Sequence, residues 1–148
     1  MFSMFSKPSR IPFKTQEEIL HIRLNKHNLY NYYFEVLKGR SDNPDILKRM
    51  SNLKIDILFI DGCHNYQNVI DDFVNYEKYV EKGGFIVFDN YQDTKYCPDV
   101  KNAVDFIVSY MNVSNYIVVG SLERHFDYNN WASVNSKYST EFILYKKK

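Results

Sequence analysis

Two short apolar runs, each ending in an acid, constrain this chain more than any other feature. Ile55-Asp56-Ile57-Leu58-Phe59-Ile60 runs into Asp61-Gly62, and Phe85-Ile86-Val87-Phe88 runs into Asp89-Asn90. Short, nearly continuous apolar stretches rich in β-branched and aromatic residues are the pattern of strands buried on both faces, and the first of the two is expected to be central. Between them, Val69, Ile70, Phe73, Tyr76 and Val80 recur near helical spacing from Tyr66 onward. Gly83-Gly84 is expected to end that helix with a left-handed cap. Strand, helix, strand at this spacing is a βαβ unit, which predicts parallel pairing and an α/β sheet.

The flanks extend the pattern. Thr15-Gln16-Glu17-Glu18 reads as a capping box for a helix to about Lys26, after irregular residues 1–14. Residues 32–38 suggest a strand stopped by Gly39, and Asp42-Asn43-Pro44 opens a short helix to about Met50. Pro98-Asp99 starts a helix with Val100, Val104, Ile107, Val108 and Met111 on one stripe. Residues 116–119 form a strand ending at Gly120, residues 121–139 are irregular, and residues 140–145 make a last strand. No repeat or linker divides the 148 residues, so a single domain is expected.

Charge narrows the partners. Nineteen Lys and Arg against 18 Asp and Glu give a net +1, without the basic excess that nucleic acid or an acidic membrane attracts. The apolar runs fall well short of the ~18 residues of a membrane helix. Two cysteines, Cys63 and Cys97, with no leader segment at the start, point to reduced thiols and a cytoplasmic location.

In α/β sheets of this kind, ligands bind at the carboxyl ends of the strands. Asp61 and Asp89 stand 28 residues apart, one helix between them, so both carboxylates are expected at one rim. Asn90 adds an amide oxygen. Two carboxylates and a carbonyl are hard donors that suit Mg²⁺ or a similar divalent ion, which keeps open positions for a substrate. His64 lies in the loop after Asp61, where Asn65 is placed to cap the following helix, and Cys63 is expected to be a bystander.

Residues 57–66, with Asp61-Gly62-Cys63-His64-Asn65-Tyr66, followed by residues 79–90, with Lys82-Gly83-Gly84 leading into a strand that ends in Asp89-Asn90, resemble the second half of class I S-adenosylmethionine-dependent methyltransferases. The pattern is similar to that of the metal-dependent O-methyltransferases, which include the group that methylates macrolide sugars and the catechol type. It covers about residues 30–110 and fits more loosely to Lys148. The resemblance implies an α/β fold with a partial Rossmann-like sheet, mostly parallel, lacking the first strands and with helices on both faces. It also implies S-adenosylmethionine as cofactor and Asp61, Asp89 and Asn90 as ligands of a divalent metal, Mg²⁺ by preference. His64 is the implied general base, acting on a small-molecule hydroxyl of a sugar or diol. Tyr66 and Tyr91 would either wall the substrate or serve as packing.

The family's cofactor half is not visible. Such enzymes bring the backbone close to their cofactor through a glycine-rich turn, yet none of the five glycines here forms a Gly-x-Gly. Where the family often carries Gly-Asp-Ser after its third strand, this chain has Gly39-Arg40-Ser41, which weakens a nucleoside role for Ser41 or Asp42. A sheet without its first strands is expected either to compact to three to five strands with altered pairing, or to be covered by an oligomer or partner chain. Two further readings remain open: a non-catalytic remnant of the fold acting as an interaction module, and an unrelated flavodoxin-like binder of metal or phosphate.

Overall fold

The computed structural model of the chain describes residues 16–26, 35–123 and 140–148. Backbone packing separates two compact units, Met1–Lys38 and Gly39–Lys148. In the first, α1 (Gln16–Lys26) occupies the expected helix; Thr15 of the capping box, residues 1–14 and residues 32–34 lie outside the described residues. Residues 35–38 pair with no strand among the described residues, so the strand expected over 32–38 is not found there. Aromatic and β-branched content shows that a segment suits a sheet, but a ladder partner makes it a strand.

The second unit carries α2 (Pro44–Met50), β1 (Ile55–Ile60), α3 (Tyr66–Tyr76), β2 (Val80–Phe88), α4 (Pro98–Tyr110), β3 (Tyr116–Glu123) and β4 (Thr140–Lys146). The caps form as the sequence suggests. Asn43 Oδ1 accepts from the Asp45 N–H at 2.8 Å with Pro44 in the first turn of α2, and Asn65 Oδ1 accepts from the Asn68 N–H at 2.9 Å to start α3. No helix among the described residues is long and apolar enough to cross a membrane.

The strands lie in the order β1-β2-β4-β3. β1 and β2 are parallel, with Ile57 opposite Phe85 and Ile60 opposite Phe88, as the βαβ pattern requires. The expectation of mostly parallel pairing does not extend further, because β4 pairs antiparallel with both β2 and β3. β4 turns back after β3 and fills the position between β3 and β2, and a strand that returns in this way runs against its neighbours.

α3 and α4 pack on the same sheet face, where Val69, Phe73, Val100, Val104 and Ile107 meet Ile60, Ile86, Phe88, Phe142 and Leu144 in one core. The steps from β1 to β2 and from β2 to β3 run the same way across the sheet, and crossovers of one hand then lay both helices on one side. Helices on both faces are therefore not seen for these two. The other face leaves Ile57, Phe59 and Phe85 exposed. β1 is also not central: among the described residues it is an edge strand, with Ile57 64% and Phe59 50% exposed. Apolar character on both faces shows what a strand can bury, and its neighbours decide what is buried.

The glycine pair is not a helix cap. α3 ends at Tyr76, one 3₁₀ turn follows over Glu77–Tyr79, and Val80 already pairs with Ile55. Gly83 takes φ +89, and a Cβ on Gly84 would sit 2.7 Å from the Asp56 carbonyl oxygen and 2.9 Å from Val80 Cγ1. The pair thus lets β2 bend and press against β1 at the irregular start of the parallel ladder. Gly84→Ala is expected to cost about 1–3 kcal/mol in urea denaturation through overpacking, and an unchanged midpoint would show that β1 and β2 are not in such contact. Likewise β3 does not stop at Gly120: the residue takes φ +102 at a register shift and the strand continues to Glu123.

Candidate functional site

Parallel strands β1 and β2 end together, and the Asp89 N–H donates to the Ile60 carbonyl at 3.1 Å, carrying the ladder one step past Phe88. Asp61 and Asp89 therefore leave neighbouring strands at one rim. Asn90 follows with φ +58, a left-handed conformation that asparagine tolerates better than most residues and that is common at ligand-handling turns. Its Nδ2 donates to Asp89 Oδ2 at 2.7 Å. His64, in the turn before α3, places Nε2 at 3.3 Å from Asp61 Oδ1 and 3.4 Å from Asn90 Nδ2. The four residues singled out in the sequence thus form one run of contacts, Asp61 to His64 to Asn90 to Asp89. The Asp61 side chain is 48% and the His64 side chain 31% exposed, so the cluster faces solvent from a partly sheltered rim.

The loop after β2 brings in a residue that sequence reading missed. Cys97 Sγ lies 3.0 Å from His64 Nδ1. The loop is built around Asp93, 7% exposed, whose Oδ1 accepts from the N–H groups of Lys95 at 3.2 Å and Tyr96 at 2.9 Å. The Asp93 carbonyl then accepts from the Cys97 N–H at 2.9 Å. Burial, and after it the carboxylates of Asp93, Asp89 and Asp61, push the Cys97 thiol above its ordinary value, so it stays a thiol at neutral pH. The sequence signal was an aspartate followed by a cysteine-proline pair, the residues that build a tight turn and open a helix; nothing in it said the turn closes onto His64. Cys63 instead accepts from Asn65 Nδ2 at 3.3 Å.

Both tyrosines make packing contacts. Tyr91 packs tilted against Phe142 with ring centroids 4.6 Å apart, donates its hydroxyl to Asp105 Oδ1 at 2.7 Å, and carries Lys101 5.1 Å above its ring. Burial and the Asp105 contact raise its phenol above the usual value. Its N–H donates to the Thr140 carbonyl at 2.8 Å, which ties the rim turn to β4. Tyr66 meets Phe106 edge-on at 6.0 Å.

Among the described residues, no three or more His, Cys, Asp or Glu side chains are grouped so as to hold a metal ion. By their chemistry Asp61, Asp89 and Asn90 are hard oxygen donors of the kind that Mg²⁺ takes. Beside the rim lies a cleft of about 410 Å³, with Arg40, Ser41 and Asp42 on one wall and Gly62, Asn68 and Asp72 on the other. Tyr76 pins the first wall by donating to the Ser41 carbonyl at 2.6 Å. Arg40 forks onto Asp42 through Nε at 3.0 Å and Nη2 at 2.9 Å, which holds the Asp42 carboxyl below its ordinary range. The carboxylate of that wall is thus already engaged.

Residues 11–91 match the model of a family described as a methyltransferase domain. Over 103 residues, 68% of this chain, the sequence is 45% identical to an uncharacterized protein of Acanthamoeba polyphaga mimivirus, and the match spans 47% of that relative. Three solved structures share the fold. A provisionally named rRNA methylase of Clostridium thermocellum is 12% identical with a TM-score of 0.60, over 90% of this chain and 69% of that one. The O-methyltransferase NovP is 19% identical with a TM-score of 0.59, over 90% of this chain and 46% of its own. An O-methyltransferase of Bacillus cereus in complex with SAH is 22% identical with a TM-score of 0.58, over 92% of this chain and 60% of its own. The chain thus spans about half the length of the curated relative it matches.

Proposed function

This chain belongs to the methyltransferase-domain family, and from that premise we propose that it carries the substrate and cation side of an S-adenosylmethionine-dependent O-methyltransferase acting on a sugar or diol hydroxyl. The observation that carries the reading is the contact run Asp61, His64, Asn90, Asp89 at the shared end of two parallel strands. Asp61, Asp89 and Asn90 would hold the divalent ion. When bound, the ion supplies Lewis acidity toward a substrate hydroxyl and S-adenosylmethionine supplies the electrophilic methyl carbon.

His64 accepts the hydroxyl proton, imidazole being the side chain that exchanges protons near neutral pH. His64 would keep the proton released from the hydroxyl, while S-adenosylmethionine would supply the methyl group and carry away the leaving thioether. Asn90, fixed by its contacts to Asp89 and His64, keeps the acid and the base at a set spacing. The near-zero net charge favours a small hydroxyl substrate over a nucleic acid.

A second reading is supported by the Arg40 fork that already engages Asp42 on the cleft wall: a non-catalytic module of the same fold. Incubation with methyl-labelled S-adenosylmethionine, Mg²⁺ and a panel of vicinal diols and sugars separates the two. Labelled ether that disappears on addition of EDTA is expected. No transfer to any diol, together with calorimetric S-adenosylmethionine binding no tighter than about 1 mM, roughly −4 kcal/mol, assigns the chain to the second reading.

A further inference from the structure

An imidazole bound at one nitrogen alone can still swing about its Cβ–Cγ bond, so a base that must keep one nitrogen toward a substrate needs a partner on the other. In this chain the Nε2 side of His64 faces Asp61 and Asn90 on the rim, while its Nδ1 side meets a single described group, Cys97 Sγ at 3.0 Å. We propose that Cys97 is a positioning residue for His64, holding the ring through Nδ1 so that Nε2 stays directed into the space between Asp61 and Asn90. The proposal rests on the reading of His64 as proton acceptor.

The chemistry of a thiol suits the task. For Nε2 to be the proton acceptor the neutral ring must carry its hydrogen on Nδ1, and that Nδ1–H donates to the thiol sulfur 3.0 Å away. The contact at Nδ1 therefore holds the ring with Nε2 toward Asp61 and Asn90. The sulfur is itself held firmly. Its residue donates backbone N–H to Asp93, whose buried carboxylate caps the preceding turn, and Pro98 at once opens α4, anchored in the core by Val100, Ala103, Val104 and Ile107. The Cys97 side chain caps no helix N–H, so its contact with His64 is separable from the start of α4. Burial and nearby carboxylates keep the group a thiol, which argues against a role as a nucleophile.

The test compares Cys97→Ala, which removes the contact at nearly constant volume, with Cys97→Ser, whose hydroxyl both donates and accepts. Nitrogen-15 NMR of histidine-labelled protein, with the His64 signals assigned through His64→Gln, is recorded at a pH about two units above the ordinary imidazole value. The Nδ1 resonance of His64 is expected to move in Cys97→Ala and to lie near the native position in Cys97→Ser. An Nδ1 resonance unchanged in Cys97→Ala overturns the proposal. Kinetics add a second arm: kcat for methyl transfer is expected to fall about 10–100-fold in Cys97→Ala with KM unchanged, and to recover in Cys97→Ser. A rise in KM at constant kcat overturns it as well. The NMR arm needs no turnover, so a wild-type chain without methyl transfer sinks the functional reading alone while the resonance still decides the contact.

Discussion

Asp61→Ala and Asp89→Ala are each expected to abolish the thermal stabilisation that Mg²⁺ or Mn²⁺ confers on the wild-type chain. An ion held at 100 times its dissociation constant stabilises the folded state by about 2.7 kcal/mol, a large share of the ~5–15 kcal/mol available to a domain. The proposed ligand set among the described residues is two carboxylates and an amide, so losing either carboxylate removes a large part of it. Melting curves in EDTA and in excess cation measure the difference directly, and an unchanged shift in both variants would place the cation elsewhere. The variants should differ without the ion. Asp61 is half exposed, so its loss should stay within about 0.5 kcal/mol. Asp89 accepts from Asn90, which is held at φ +58, and its removal should cost about 1 kcal/mol more. His64→Ala should keep the cation shift and lower methyl transfer by about 10²–10⁴-fold, which separates holding the ion from moving the proton.

Phe88→Ala should lower stability by about 3–5 kcal/mol, the usual cost of emptying a fully buried aromatic site. Its ring is 0% exposed, lies 6.1 Å from that of Phe73, and its backbone pairs with both Ile60 and Phe142. Phe88 thus links α3, β1 and β4 at the residue before Asp89. Urea denaturation followed by circular dichroism gives the number, with Val74→Ala, on the exposed side of α3, as a control expected within about 0.5 kcal/mol. A cost below about 1 kcal/mol would mean that the end of β2 is not packed as described. Because the same residue ends the strand that delivers Asp89, any folded fraction of the variant should also show a weakened cation shift.

Much of the site was legible because it obeys short-range rules. Asp61 and Asp89 follow apolar runs separated by one helix, and a parallel βαβ unit must bring two such ends to one rim. Asn43 and Asn65 cap the helices they precede because an N-cap is decided within three residues. Cys97 was illegible for the opposite reason. Its contact with His64 spans 33 residues and depends on how the Asp93 turn folds, which no local period encodes. Gly83 and Gly84 carry the composition of a helix stop, yet pairing of Val80 with Ile55 drew the strand forward and turned them into a point of close approach.

The sequence by itself determined the α/β class, the parallel β1-β2 unit and the acids at its rim, since hydrophobic period, capping and strand order act over a few residues. The tertiary structure alone decided the place of β4 between β2 and β3, the edge position of β1 and the thiol behind His64. Each of these depends on which segments become neighbours, and that is settled by packing across the whole sheet.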